Sequence, residues 1–215
     1  MRFSVYRIAK VVAISMVATF APLTQARTAA DFFVDAPAGV MPLLEHNARL
    51  DMLDYFRHQL QTPTANVMDG RSRILSEDPA RIDVQISRDA TVQLAVIPLK
   101  ADTLIAVIET VLTPVADSGI RFYHTDWKPM KRQPLMPAMA DFVPQEKRRE
   151  TSAAEMPEVL YMKVDYDPST GLFTFVNTTA AYYTEFDRPE GLALMRSSVD
   201  MRFDGKKFVE TPSSK

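Results

Sequence analysis

The chain has 215 residues, 25 Lys and Arg against 27 Asp and Glu, and no cysteine. Without thiols there are no disulfides, no thiolate catalysis, no cysteine-built metal sites and no lipid-accepting cysteine of the bacterial lipoprotein kind. The slightly acidic balance gives phosphate backbones no overall attraction, so nucleic acid is not an expected partner.

Arg2, Arg7 and Lys10 precede an apolar run of thirteen residues, Val11 to Leu23, and Thr24-Gln25-Ala26 then supplies small residues where a signal peptidase reads. This order marks an export signal over residues 1–26. The run is shorter than the ~20 residues that cross a bilayer as a helix, and no later run is as long and uncharged. The expectation is a periplasmic or extracellular protein with no transmembrane segment in the mature chain. Cleavage after Ala26 removes three cations and no anions, leaving 22 against 27, a formal charge of −5. The remaining residues, 27–215, suit a single domain.

Thr28 and Asp31 have capping-box spacing, so a short helical turn through Phe32, Phe33 and Val34 is expected before Pro37. Pro42 suits a first helical position, and Thr62-Pro63 ends the pattern, which predicts a helix of about five turns up to Leu60. Met41, Leu44, Ala48, Met52, Leu53, Tyr55, Phe56 and Leu60 share one broad arc of it. Glu45 and Arg49 interrupt that arc as an i,i+4 pair, and Leu50 lies outside it.

The period then changes to two. Ile82, Val84 and Ile86 alternate with polar residues, Ser87 to Ala90 turns the chain, and Val92, Leu94 and Val96 return as the second arm of a hairpin. Leu104 to Val111 reads as a more central strand, Asp117-Ser118-Gly119 as a turn, and Ile120 to His124 as a further strand. From Lys128 to Pro157 five prolines and a charged run make a long surface connection, a length that signals a functional flap or a two-part architecture. Leu160 to Tyr166 and Leu172 to Val176 flank a five-residue turn, and Val199 to Phe203 leads through Asp204-Gly205 into Lys206 to Val209. Pro189 to Met195 is ambiguous. Helices first and antiparallel strands afterwards predict an α+β fold, the N-terminal long helix packed on a mostly antiparallel β-sheet. The alternative is a β-sandwich with an N-terminal helical extension, and either arrangement leaves a polar sheet face.

Two stretches are dense in chemistry. In "NARLDMLDYFRH", Asn47, Asp51, Asp54 and His58 lie at i, i+4, i+7 and i+11, along one helix flank. Asp54 and His58 have the spacing of two metal ligands, but nothing like HExxH supplies a second half, so the flank reads first as solvated and no metal is assigned. In "DSGIRFYHTDW", Arg121, Tyr123, Asp126 and Trp127 cluster around His124, a mixture common where sugars or peptides dock. Strand alternation puts Arg121 and Tyr123 on one face and Phe122 and His124 on the other, so they meet one ligand only if the strand ends by His124. Lys128, Lys131 and Arg132, with Lys147, Arg148 and Arg149 across the connection, form a basic cluster suited to an anionic glycan or membrane surface. There is no GxSxG elbow, SxxK motif or Gly-rich phosphate loop, and no cofactor is expected.

"FFVDAP" at Phe32, "NARLDMLDYF" at Asn47, "VIETVLTPVADSGIRFYHTDW" from Val107 and "FDGKKF" at Phe203 resemble, in content and order, an uncharacterised family of exported proteins. Its members come from Bacteroidetes of the gut and mouth, and it is known only as a domain of unknown function. The resemblance spans nearly the whole mature chain. It implies export and host, carries no catalytic signature and transfers no site residue. The functional expectation is a non-enzymatic binding or envelope-accessory protein whose partner is an envelope protein or glycan, reached through the polar sheet face and the proline-rich connection. The alternative is a periplasmic hydrolase or metal-dependent enzyme using Asp51, Asp54 and His58. Oligomeric state is left open.

Overall fold

The computed structural model describes residues 26–60, 62–100, 102–148 and 152–211, so the export signal expected over residues 1–26 falls almost wholly outside the described residues. The Asp31 N–H donates to Thr28 Oγ1 at 3.2 Å and the Asp31 carboxylate accepts the Thr28 N–H at 2.7 Å. That capping box starts α1 (Ala29–Asp35), which buries Phe32 and Phe33. The second helix is shorter than its apolar arc suggests. α2 runs only from His46 to Arg57, because Pro42 sits among tight turns closed by bonds such as Leu44 N–H to Met41 C=O at 3.2 Å. Met41 and Leu44 fill the core from those turns, while Leu60, placed on the arc by periodicity, lies past the helix and is exposed.

Arg49, an i,i+4 neighbour of Glu45 in sequence, takes its hydrogen-bond partners elsewhere. It is buried, and its guanidinium donates to the carbonyls of Phe33 at 2.8 Å and Ala36 at 2.6 Å, ending α1 and tying it to α2. The Phe33 carbonyl also accepts the Ala36 N–H at 3.4 Å, and at a helix end a cationic donor satisfies such carbonyls more strongly than a neutral one.

Among the described residues, ten strands form two antiparallel sheets. The first runs in chain order through β1 (Thr64–Ala65), β2 (Arg71–Asp78), β3 (Arg81–Ser87), β4 (Ala90–Pro98), β5 (Thr103–Val111) and β6 (Asp117–His124). The second has the order β10-β9-β8-β7, with β7 (Met162–Asp167), β8 (Leu172–Asn177), β9 (Ser198–Phe203) and β10 (Phe208–Glu210). α1 and α2 cover one face of the first sheet and the second sheet covers much of the other, so the fold is α+β with N-terminal helices on antiparallel sheets. The sandwich weighed as the alternative is present in the same molecule. β5 shows why: Ile105 and Val107 face the helices, while Leu104, Ala106 and Ile108 face the second sheet. A strand buried on both faces reads as a continuous apolar run rather than an alternation. The polar face expected of the sheet is accordingly found on the outside of the second one, where β9 alternates exposed Ser198, Asp200 and Arg202 with buried Val199, Met201 and Phe203.

Two further elements differ from expectation. β2 has no strong alternation in sequence, and a register shift between Ile74 and Ser76 breaks what there is. Asp117-Ser118-Gly119 is strand rather than turn. Ser118 Oγ pairs with Thr110 Oγ1 at 2.8 Å and accepts the Val164 N–H at 3.0 Å, a buried role that holds the chain extended. Asp117 and Gln93 likewise accept the Met162 and Tyr166 N–H groups at 3.2 and 2.8 Å. Side chains of the first sheet thus satisfy the outward donors of β7, closing an edge that would otherwise invite another strand.

The proline-rich connection is a strap between the sheets. Met130 N–H donates to Phe122 C=O at 2.9 Å, and the Gln133 amide accepts the Phe122 N–H at 2.8 Å and donates to its C=O at 2.9 Å. These bonds cover the free edge of β6. The strap then enters α3 (Met139–Phe142), and Phe142 and Val143 are buried, Phe142 within the inter-sheet core. No helix among the described residues is long and apolar enough to cross a membrane.

Candidate functional site

Asn47, Asp51, Asp54 and His58 occupy the exposed flank of α2, opposite buried Met52 and Leu53. His58 Nδ1 stands 3.1 Å from Asp54 Oδ1 and 2.9 Å from the Asp54 carbonyl oxygen, with both side chains about two-thirds exposed. Asn47 and Asp51 make no side-chain hydrogen bond or ion pair among the described residues. Among those residues no three His, Asp or Glu side chains are grouped so as to hold a metal ion.

The β6 end divides its four residues by role. The strand stops at His124, and a turn closed by Trp127 N–H to His124 C=O at 2.9 Å places Trp127 at φ 64°. Trp127 packs edge-on against Phe32 and Tyr123, with ring centroids 6.3 and 5.6 Å apart, wedging α1 onto the sheet. Arg121 and Asp126 stay in solvent, paired with Glu109 and Lys128, each at 2.6 Å. No hydrogen bond, ion pair or ring contact joins this end of β6 to the α2 flank among the described residues.

A groove of about 890 Å³ lies elsewhere, between the strap at Met130–Asp141 and the β9–β10 hairpin. Each wall has a local cause. Pro134 and Pro137 keep the strap extended until the Asp141 carboxylate accepts the Ala138 N–H at 2.8 Å and starts α3. On the other side Gly205, at φ 97°, lets the hairpin turn, and Asp204 Oδ1 accepts the Lys206 and Lys207 N–H groups at 2.8 and 2.9 Å. Met130, Met136, Met201 and Phe208 give the groove its apolar surface, and Leu135, 89 % exposed, stands at its lip.

The charges of the groove are unequally committed. Backbone N–H bonds from the hairpin hold the Asp204 carboxyl below the usual carboxylate range. Glu210 is paired with Arg196, which lowers its pKa in the same direction. His124 faces Asp102 at 3.4 Å. By contrast Lys131, Arg132, Lys206 and Lys207 make no side-chain hydrogen bond or ion pair among the described residues. Of the basic cluster seen in sequence, Lys128 is engaged by Asp126 and Arg148 donates to the Val143 carbonyl at 3.0 Å, Lys131 and Arg132 line this site, and Arg149 lies outside the described residues. Sequence patterns miss the groove because its walls are about seventy residues apart. The one available signal is the pair of lysines in "FDGKKF", set at a turn between aromatic residues.

The molecule is a three-layer α+β protein with a cationic, apolar-floored groove at a sheet edge. The chain belongs to the family described as "Protein of unknown function (DUF3256)", whose model matches residues 22–208. A solved structure of a domain of an uncharacterized protein from Porphyromonas gingivalis W83 is similar to it, with a TM-score of 0.65 and 22 % sequence identity. That match covers 87 % of this chain and 100 % of the other, a likeness of fold. No curated protein matches the chain.

Proposed function

We propose that this is a non-enzymatic exported protein that binds a macromolecular partner of the cell envelope, periplasmic or extracellular, through the groove between the strap and β10. The observation that carries the reading is the uneven commitment of charge. The acids of the groove are engaged within the chain, whereas the side chains of Lys131, Arg132, Lys206 and Lys207 make no hydrogen bond or ion pair among the described residues, those of Lys206 and Lys207 acting on Asp204 only through their charge. Such a rim acts over roughly 8 Å at physiological salt, enough to orient an incoming surface before contact. Packing on the methionine-rich floor follows, since flexible thioethers adapt to different apolar groups.

The test is co-sedimentation of the purified protein with envelope material from a Bacteroidetes bacterium. Binding is expected to saturate, to weaken as salt is added, and to disappear when Lys131, Arg132, Lys206 and Lys207 are all changed to Glu. Undiminished binding by that variant overturns the reading. Surface substitutions serve better than removal of residues 128–157, because removal also takes buried Phe142 and Val143.

A further inference from the structure

We infer that the partner enters the groove as an extended acidic peptide segment that adds to β10 as a fifth strand of the second sheet. The inference rests on the binding role proposed for the groove and names the chemistry of its occupant. Asp204 N–H donates to Lys207 C=O at 3.1 Å and Thr211 N–H to Asp200 C=O at 3.0 Å, while Val209 stands opposite Arg202. In an antiparallel pair the bonded positions alternate, so Lys207, Val209 and Thr211 turn their amides toward β9. Phe208 and Glu210 then turn theirs away from it. Their N–H and C=O groups have no hydrogen-bond partner among the described residues, and both residues line the groove.

The neighbouring edges sharpen the point. Gln133 and Met130 cover β6, and Asp117, Ser118 and Gln93 cap the outward donors of β7. β2 carries a bulge and the charged residues Arg73, Glu77 and Asp78, the usual protection of an exposed edge. Among the described residues β10 has neither a hydrogen-bonded cover on its outer edge nor a register shift against β9. A peptide strand offers alternating donors and acceptors at the spacing these groups require, and its side chains point alternately to either side. One set can rest on Met130 and Met136, and the other can reach the rim of Lys131, Arg132, Lys206 and Lys207, none of which is held in a side-chain hydrogen bond or ion pair among the described residues. That rim selects carboxylates. Sugars are held by stacking on open aromatic faces, and of the rings lining the groove Phe208 is committed to Phe173, Phe175 and Phe203 and His124 faces Asp102.

The decisive probe is a capped octapeptide of alternating Glu and Val, titrated into the purified protein and followed by fluorescence anisotropy. The expected result is saturable binding at least tenfold tighter than that of the Lys/Val counterpart. Methylation of alternate backbone nitrogens on one peptide edge should weaken binding at least tenfold, and methylation on the other edge should not. The same loss is expected for a Lys206→Glu, Lys207→Glu variant with unchanged circular dichroism. Equal binding of the Glu and Lys peptides, indifference to methylation, or no binding of either overturns strand addition. If the peptide fails while the four-site Glu variant still loses envelope binding, the groove keeps its binding role and its occupant is an anionic glycan. Dimers of the free protein that dissociate on the same Lys→Glu changes would assign the edge to a second copy and also overturn the inference.

Discussion

Phe142→Ala tests whether the strap is part of the fold or a detachable flap. Phe142 lies on a four-residue helix in a segment rich in prolines, yet its side chain is fully buried in the inter-sheet core. The helix is clamped from outside as well. Arg196 N–H donates to the Phe142 carbonyl at 2.7 Å, and the Arg196 guanidinium reaches the Asp141 carbonyl and Glu210. With its backbone so held, the site has little freedom to collapse around a smaller side chain, which places the loss within the range of about 3–5 kcal/mol measured for buried Phe→Ala changes. At an m-value of about 2 kcal/mol per molar urea, a loss of about 4 kcal/mol lowers the midpoint by about 2 M. Equilibrium urea unfolding followed by circular dichroism reads this directly. Leu135→Ala, on the same strap but 89 % exposed, should change stability by no more than about 0.5 kcal/mol. A midpoint shift below about 0.5 M for Phe142→Ala would refute the reasoning, since the strap would then contribute nothing to the core it enters.

Arg49→Ala removes the cationic donor shared by the Phe33 and Ala36 carbonyls and should cost about 1–3 kcal/mol in urea unfolding. Because α1 carries Phe32 onto Trp127, the same variant should shift the emission of the only tryptophan to longer wavelength. Asp31→Asn should lose about 1 kcal/mol at pH 7, the usual worth of a helix N-terminal cap. Hydrogen bonds from the Thr28 backbone and hydroxyl hold the Asp31 pKa below its ordinary value. Its contribution is therefore complete above the unfolded pKa of about 3.9 and fades as pH falls through the lower folded value. The gap between wild type and variant should accordingly narrow in urea titrations repeated near pH 3, and a constant gap would contradict the assignment. His58→Ala removes an exposed i,i+4 partner of Asp54 and should change stability by less than about 0.5 kcal/mol. Elemental analysis of the purified protein is expected to give the same metal content with and without that substitution, and loss of a bound metal would return the α2 flank to consideration as an enzyme site.

The elements legible in the sequence are those whose determinants are local. The α1 cap is two residues three positions apart, and the β7–β8 and β9–β10 hairpins announce themselves through alternation broken by Asp, Ser and Gly. β5 is legible for the opposite reason, as an unbroken apolar run that only a strand covered on both faces can use. β2 is hidden because beyond Ser72, where its pairing with β1 ends, it has little to bury, and its bulge puts the buried pair Ser72 and Ile74 out of phase with the outer half of the strand. Periodicity starts α2 too early because Met41 and Leu44 fit a helical arc although tight turns bury them equally well. Arg49 is the sharpest case. Its i,i+4 distance from Glu45 suggests a pair along one helix, and only the meeting of α1 with α2 reveals the two carbonyls to which its guanidinium donates.

The same distinction explains why the densest stretches of chemistry in the sequence are not where the groove lies. Asp51, Asp54 and His58 are adjacent because a helix repeats, and repetition alone brings neither enclosure nor a shared partner. Tyr123 and Trp127 are drawn into packing against Phe32. A recess needs two walls that the chain would gain by bringing together. Here that gain comes from Phe142 and Phe208, which bury aromatic surface in one core from segments about seventy residues apart. Burying those two rings draws the strap and the hairpin toward each other, and the space left between them exposes the unpaired edge of β10 beside four cations. The groove is in this sense a product of core formation. Its position is therefore expected to survive changes to the rim charges, while its choice of ligand is expected to change with them.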